Sequence, residues 1–338
     1  MEKNVGVSTG CPWKRRRYMN EIALVTGKLH TYAEHYNNYM VEKLTKWKGK
    51  SLIEYSDFLK LGRTIVSKIV FNTDSVNDEF FKIFSEANTT EVFSNPDFKI
   101  TPKVYNNYLK ILNKYIDNPE PNSLVELCLT FTTNREEIQH QIPHFIFPIV
   151  ALFITTIPRL LLLLCNHKNI FKKVIQEVYS LKDSYMDNYE SIYKLTYLRK
   201  CILEILRLNN LVVTTFRTLT QDYTFDNKYS FKKGTQFLIL NYPVLREEEF
   251  FDKPNKFIPS RWTSEMEKSY YAISFNQGPQ ICPGKELSIY LIQSFIYNFI
   301  KIKEIGKNQY MRCKKINTEN ISQVINPCNI KFNFAHYQ

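Results

Sequence analysis

The run from Phe145 to Cys165 is the most apolar stretch of the chain and does most to limit its fold. By length it could cross a bilayer. It contains Pro148, Pro158 and Arg159, and a guanidinium and helix-disturbing prolines suit a packed protein interior better than hydrocarbon. It is therefore read as a buried core helix running from about Ile138 to Asn166, with a membrane span as the alternative; no transmembrane helix is expected. A helix that is apolar all round needs partners on every side. Helical periodicity supplies them at Glu21–Lys46, Ser51–Asn72, Asn122–Thr132, Lys168–Leu181 and Ser191–Leu208.

The pattern changes after residue 210. Leu211–Thr220, Tyr223–Phe225, Tyr229–Phe231 and Gln236–Leu240 are short β-rich runs, with turns predicted at Asp226-Asn227-Lys228 and Lys233-Gly234. Residues 247–281 read as irregular. A strong helix follows from Pro283 to about Lys301, and the tail at 316–336 has room for small strands. The expectation is one domain over 1–338, mainly α with minor β: a helical part at about 12–210 and a β-rich part at about 211–338. With only 9 Gly in 338 residues, a turn-rich all-β fold is excluded.

The net charge of +12 fits an acidic protein partner, an anionic membrane surface or nucleic acid. Zinc-finger spacing is absent and the basic residues are spread along the whole chain, so no nucleic acid is expected. Seven cysteines without a CxxC pair fit a reducing compartment and mostly buried free thiols. Met1 to Gly10 is polar, unlike a secretory signal.

One segment carries specific chemistry: Phe275-Asn276-Gln277-Gly278-Pro279-Gln280-Ile281-Cys282-Pro283-Gly284. It precedes an apolar-periodic helix, and Pro283 is expected as that helix's first residue. Cys282 would then lie at the helix N-terminus, where free N–H groups favour a thiolate. A thiolate can hold haem iron and push electron density onto it. Gly278 and Gly284, lacking Cβ, let the backbone approach a flat macrocycle, and Phe275 could shield the sulfur. With 24 Phe, 9 Gly and 7 Cys in the chain, the pattern F-x-x-G-x-x-x-C-x-G should arise by chance roughly 0.0003 times.

This pattern resembles the signature loop of the cytochrome P-450 family, and further landmarks follow in family order. Glu204 and Arg207 resemble its E-x-x-R helix, and Pro259-Ser260-Arg261-Trp262 its P-x-R-(F/W) segment, whose arginine joins that pair. Trp13 and Arg17 match W-x-x-x-R, and Arg217 matches a strand arginine; in the family these three contact haem propionates. Thr155 matches the distal-helix alcohol that relays protons. The resemblance implies a P-450 fold lacking its N-terminal strands and first helices. It also implies haem b (iron protoporphyrin IX) ligated by Cys282. The expected activity is monooxygenation of an apolar small molecule, with electrons passing from NAD(P)H through a reductase or ferredoxin-type partner. Lys285, Lys301 and Lys303 are candidates for docking that partner. A cytoplasmic location is expected, with peripheral contact at the cytosolic face of an internal membrane as an option.

Three positions depart from the family pattern. Ile154 replaces the acid before the alcohol, Leu152 replaces a glycine, and Gln280 replaces a basic propionate ligand. Two alternatives follow: a P-450-like isomerase or dehydratase of hydroperoxides, and a truncated haem-binding protein without turnover.

Overall fold

The computed structural model describes residues 10–74, 80–82, 102–181 and 189–337. The chain forms two compact units. One holds residues 1–195, 283–314 and 326–338; the other holds 196–282 and 315–325.

The first unit contains helices α1 (Gly10–Ala23) and α2 (Ala33–Thr45), strand β1 (Leu52–Glu54), and helices α3 (Tyr55–Phe71), α4 (Pro102–Asp117), α5 (Leu124–Phe131) and α6 (Arg135–Ala151). A π-helical turn, Leu152–Thr156, joins α6 to α7 (Ile157–Asn166), and α8 (Lys168–Ser180) and α9 (Tyr189–Tyr193) follow. The predicted helix over Glu21–Lys46 is broken. Val25 and Gly27 have positive φ, and a turn separates α1 from α2. The start of the predicted helix at Ser51 is instead β1, after which Asp57 caps α3 through the Glu54 N–H.

The apolar run lies within a continuous helix over Arg135–Asn166, whose most apolar 18-residue window has mean hydropathy 2.2 and is 72% buried. By length and composition it could cross a membrane; its burial is what a core helix requires. The π turn has a local cause. Pro158 has no N–H for the carbonyl of Ile154, and its ring crowds that oxygen. The helix widens there, and the Ile157 N–H bonds to the Leu152 carbonyl. Helix α3 passes close by: a Cβ on Gly62 would stand 2.8 Å from Cβ of Phe153.

The same unit contains the long helix α13 (Lys285–Ile302). Its aromatic side chains Phe295 and Phe299 stack on each other and meet Trp47 edge-on. Phe58, Phe153 and Phe332 complete the cluster, all fully buried. Each such ring contributes roughly 1.5–3 kcal/mol. Buried polar groups pair between α2 and α13, with Ser294 Oγ and Asn298 Nδ2 each donating to Asn37 Oδ1 at 2.9 Å. A three-stranded antiparallel sheet, in the order β1, β7 (Lys331–His336), β6 (Gln309–Cys313), closes the unit. Neither β1 nor β6 stands out in the sequence, because both are short and lean on strands far away in the chain.

The second unit is built on α10 (Thr196–Leu208). Two antiparallel ribbons follow: β2 (Thr214–Thr218) with β5 (Gln236–Leu240), and β3 (Tyr223–Phe225) with β4 (Tyr229–Phe231). The predicted turn is in place, with Asp226 and Asn227 both at positive φ. Short helices α11 (Asn241–Val244) and α12 (Ser264–Lys268) punctuate the irregular stretch that leads to the cysteine loop. The mainly α class with small sheets agrees with the sequence reading.

Candidate haem-thiolate site

The cysteine loop lies in the second unit. Phe275 ends a short 3-10 turn, and its carbonyl accepts the Cys282 N–H at 2.7 Å, closing the loop over Gly278. Gly278 has φ +66, and no atom lies within 4 Å of where its Cβ would be. That backbone geometry strongly favours glycine, and the face it presents is open. Gly278, Pro279 and Gln280 are exposed, while Phe275 and the Cys282 thiol are half-buried.

The helix after the loop begins later than predicted. Its first residue is Lys285, with Gly284 as N-cap, so Pro283 is a turn residue and not the start of the helix. The cause is the turn at Pro283–Gly284, where the buried Gly284, at φ −90, offers its carbonyl to the Ser288 N–H at 2.8 Å. Cys282 is therefore fixed by the loop. The helix dipole, which fades within a turn, acts on it less than the sequence suggested.

Beneath this loop the second unit contains a buried polar knot. Glu204 and Arg207 are both fully buried on α10. Arg207 grips the carboxylate with Nε on Oε2 and Nη2 on Oε1, each at 2.9 Å. Arg261 Nε donates to Oε1 at 3.1 Å and the Ile258 N–H to the same atom at 3.0 Å. Trp262 Nε1 donates to Oε2 at 2.9 Å. Arg207 also reaches the carbonyls of Leu245 and Lys256 and lies over the Phe251 ring. The three residues that sequence order grouped are thus brought together. Sequence reasoning missed Trp262 and Ile258 as partners. A buried tryptophan needs an acceptor for its ring N–H, and that need was the available signal.

Each remaining candidate lies within one of the two units. Arg217 is half-exposed on β2, opposite Phe237, and its Nη1 donates to the Phe216 carbonyl at 2.8 Å. In the first unit, Trp13 is half-buried on α1, and Arg17 is buried with Nε 2.6 Å from Glu21. Thr155 lies in the π turn, where its hydroxyl donates to the Ala151 carbonyl at 2.6 Å.

Two expectations are corrected. Lys301 and Lys303 are buried and present no charge to a docking partner. Lys303 Nζ instead caps the carbonyls of Lys48 at 3.0 Å and Lys50 at 2.6 Å, and burial lowers its pKa. Lys301 lies over the Tyr179 ring. The cysteines are also less hidden than expected. All seven are free, but only Cys128 and Cys201 are buried.

A single thiol on an open, glycine-shaped loop fits haem ligation, which needs one protein sulfur and a flat approach. Among the described residues no cluster of three or more His, Cys, Asp or Glu could hold a metal ion by itself.

The chain is similar to known proteins. A cytochrome P450 from Cavia porcellus, 3A15, is 23% identical over 86% of this chain and 67% of its own length. The β-amyrin 11-oxidase of Glycyrrhiza uralensis is 29% identical over 41% of this chain and 29% of its own length. Several plant relatives are matched over only 22% to 29% of their length. Among solved structures, one titled "Retinoic acid bound cyanobacterial CYP120A1" superposes with a TM-score of 0.79 at 19% identity, covering all of this chain and 82% of the other. The cytochrome P450 family profile matches residues 99–332, a span that includes both the Glu204 knot and the cysteine loop, and the chain belongs to that family.

Proposed function

We propose that the chain is a haem-thiolate monooxygenase acting on an apolar small molecule. The observation that carries this reading is Cys282: half-exposed, tied to Phe275 and set in a loop open at Gly278. Cys282 would hold the iron as a thiolate, and the bound haem would supply oxygen activation. Phe275 would limit water at the sulfur. Glu204, Arg207, Arg261 and Trp262 would keep the second unit rigid under the loop. Trp13, Arg17 and Arg217 are proposed to bind the propionates, with Arg17 sharing its charge with Glu21. Gln280, exposed and uncharged, would offer them a hydrogen bond only.

Relatives named as oxidases and monooxygenases of β-amyrin support an oxidative reaction on an apolar skeleton. Electrons would come from NAD(P)H through a reductase or ferredoxin-type partner, with Lys285 as the remaining docking candidate from the sequence. The exposed Val212, Val213, Phe216 and Leu238 support peripheral contact with a membrane; a cytoplasmic location, at the cytosolic face of an internal membrane, is part of the same proposal.

One observation favours a second reading. Thr155 is bonded to the Ala151 carbonyl and follows Ile154, so no acid backs its hydroxyl. A P-450-like isomerase or dehydratase of hydroperoxides would not need that pair. Turnover under labelled dioxygen separates the two. A monooxygenase places one labelled oxygen atom in the product and needs NADPH and a reductase. Consumption of a fatty-acid hydroperoxide without either would decide for the second reading.

A further inference from the structure

The end of α7 and strand β6, both in the first unit, bring two thiols together. Cys165 Sγ donates to the Met311 carbonyl at 3.3 Å. Cys313 Sγ lies 3.3 Å from Asn166 Nδ2 and 4.0 Å from the Leu162 carbonyl. Each sulfur is thus anchored to the chain neighbours of the other. Both are half-exposed, whereas Cys128 and Cys201 are buried beyond the reach of a soluble oxidant. The two thiols are close enough to act on each other's ionisation. The Cys313 thiol holds the Cys165 thiol below its ordinary pKa, burial opposes this, and the Cys313 N–H and Lys168 add to the lowering. The same interaction with Cys165, followed by burial, pushes Cys313 up. The pair is therefore unequal, with Cys165 the better nucleophile and Cys313 the better proton donor.

We propose that Cys165 and Cys313 form an oxidisable dithiol that hydrogen peroxide converts to a disulfide, tying the end of α7 to β6. In the first step the Cys165 sulfur attacks one peroxide oxygen. The O–O bond breaks, Cys165 becomes a sulfenic acid, and the leaving hydroxide takes up a proton as water. In the second step the Cys313 sulfur attacks the Cys165 sulfur. The S–O bond breaks, and hydroxide leaves with the Cys313 proton as a second water. Two electrons pass from the sulfurs to the peroxide, which is reduced to two waters.

The proposed step does not involve Cys282, and its test requires no haem turnover. The purified full chain is treated with hydrogen peroxide, its remaining thiols are alkylated, and it is digested without reductant. The expected result is one cross-linked peptide pair joining Cys165 to Cys313, two hydrogens lighter than its parts and released by dithiothreitol. In Cys313→Ser, oxidation should stop at a Cys165 sulfenic acid that dimedone traps. Recovery of Cys165 and Cys313 as separate alkylated peptides after peroxide would overturn the proposal. So would a Cys165 disulfide to any other cysteine.

Discussion

Glu204→Gln is the change that should damage this protein most for the fewest atoms altered. The carboxylate accepts from Arg207 Nη2, Arg261 Nε and the Ile258 N–H on Oε1, and from Arg207 Nε and Trp262 Nε1 on Oε2. A glutamine amide replaces one of those oxygens with an NH2 group. Whichever way it turns, at least two of the donors then face another donor, and a fully buried Arg207 loses its counter-charge. Breaking one side of a buried ion pair costs about 3–5 kcal/mol, because the remaining charge stays desolvated. For a chain of this size that lowers Tm by roughly 10 °C. Thermal unfolding followed by circular dichroism, at equal haem loading, measures it. Arg199→Ala is the control. Its partner Glu267 lies 2.5 Å away, but the two side chains are 21% and 22% exposed, and such pairs contribute about 1 kcal/mol or less. If Glu204→Gln and Arg199→Ala lower Tm equally, the knot is not what holds the second unit together.

Two further expectations concern the first unit and one the Glu204 knot of the second. His30 is 3% exposed; with Nδ1 accepting the Tyr32 N–H, its Nε2–H donates to the Ala23 carbonyl, and burial lowers its pKa from 6.5 to about 4. The unfolded chain therefore binds a proton first as pH falls. This stabilisation is complete above pH 6.5 and is lost towards pH 4, by about 3 kcal/mol in all. Unfolding free energy measured against pH should fall more steeply for the native chain than for His30→Gln, and parallel curves would refute this. Gly62→Ala would push a methyl against Phe153 at the π turn, at about 1–3 kcal/mol, read as a lower denaturation midpoint. An unchanged midpoint would mean that α3 can yield there. Trp262→Phe removes one of the Glu204 hydrogen bonds while keeping the ring, so a loss of about 1–2 kcal/mol is expected in the same assay.

The cysteine loop and the Glu204–Arg207 pair were legible because their spacing is fixed by local geometry. The loop pattern from Phe275 to Gly284 needs its glycine at Gly278, where φ is positive, and Glu204 and Arg207 share a helix face by their spacing alone. The long apolar helix was legible from its composition. The features that escaped depend on partners far away in the chain. Strand β6 exists because β7 pairs with it, and Lys303 is buried because the carbonyls of Lys48 and Lys50 await it. The break between α1 and α2 was visible only as Thr26-Gly27 within an otherwise periodic run. The late start of α13 is a matter of one turn, which the proline rule for helix starts does not resolve.

The central claim is that Cys282 is the proximal ligand of a haem. The spectrum of the dithionite-reduced, carbon-monoxide-bound protein reads that ligand directly. The native chain should show the strongly red-shifted Soret band of thiolate-bound iron, and Cys282→Ala should lose it while keeping its far-ultraviolet circular dichroism. A red-shifted band that survives in Cys282→Ala, or a native chain that takes up haem with an unshifted band, would contradict the assignment.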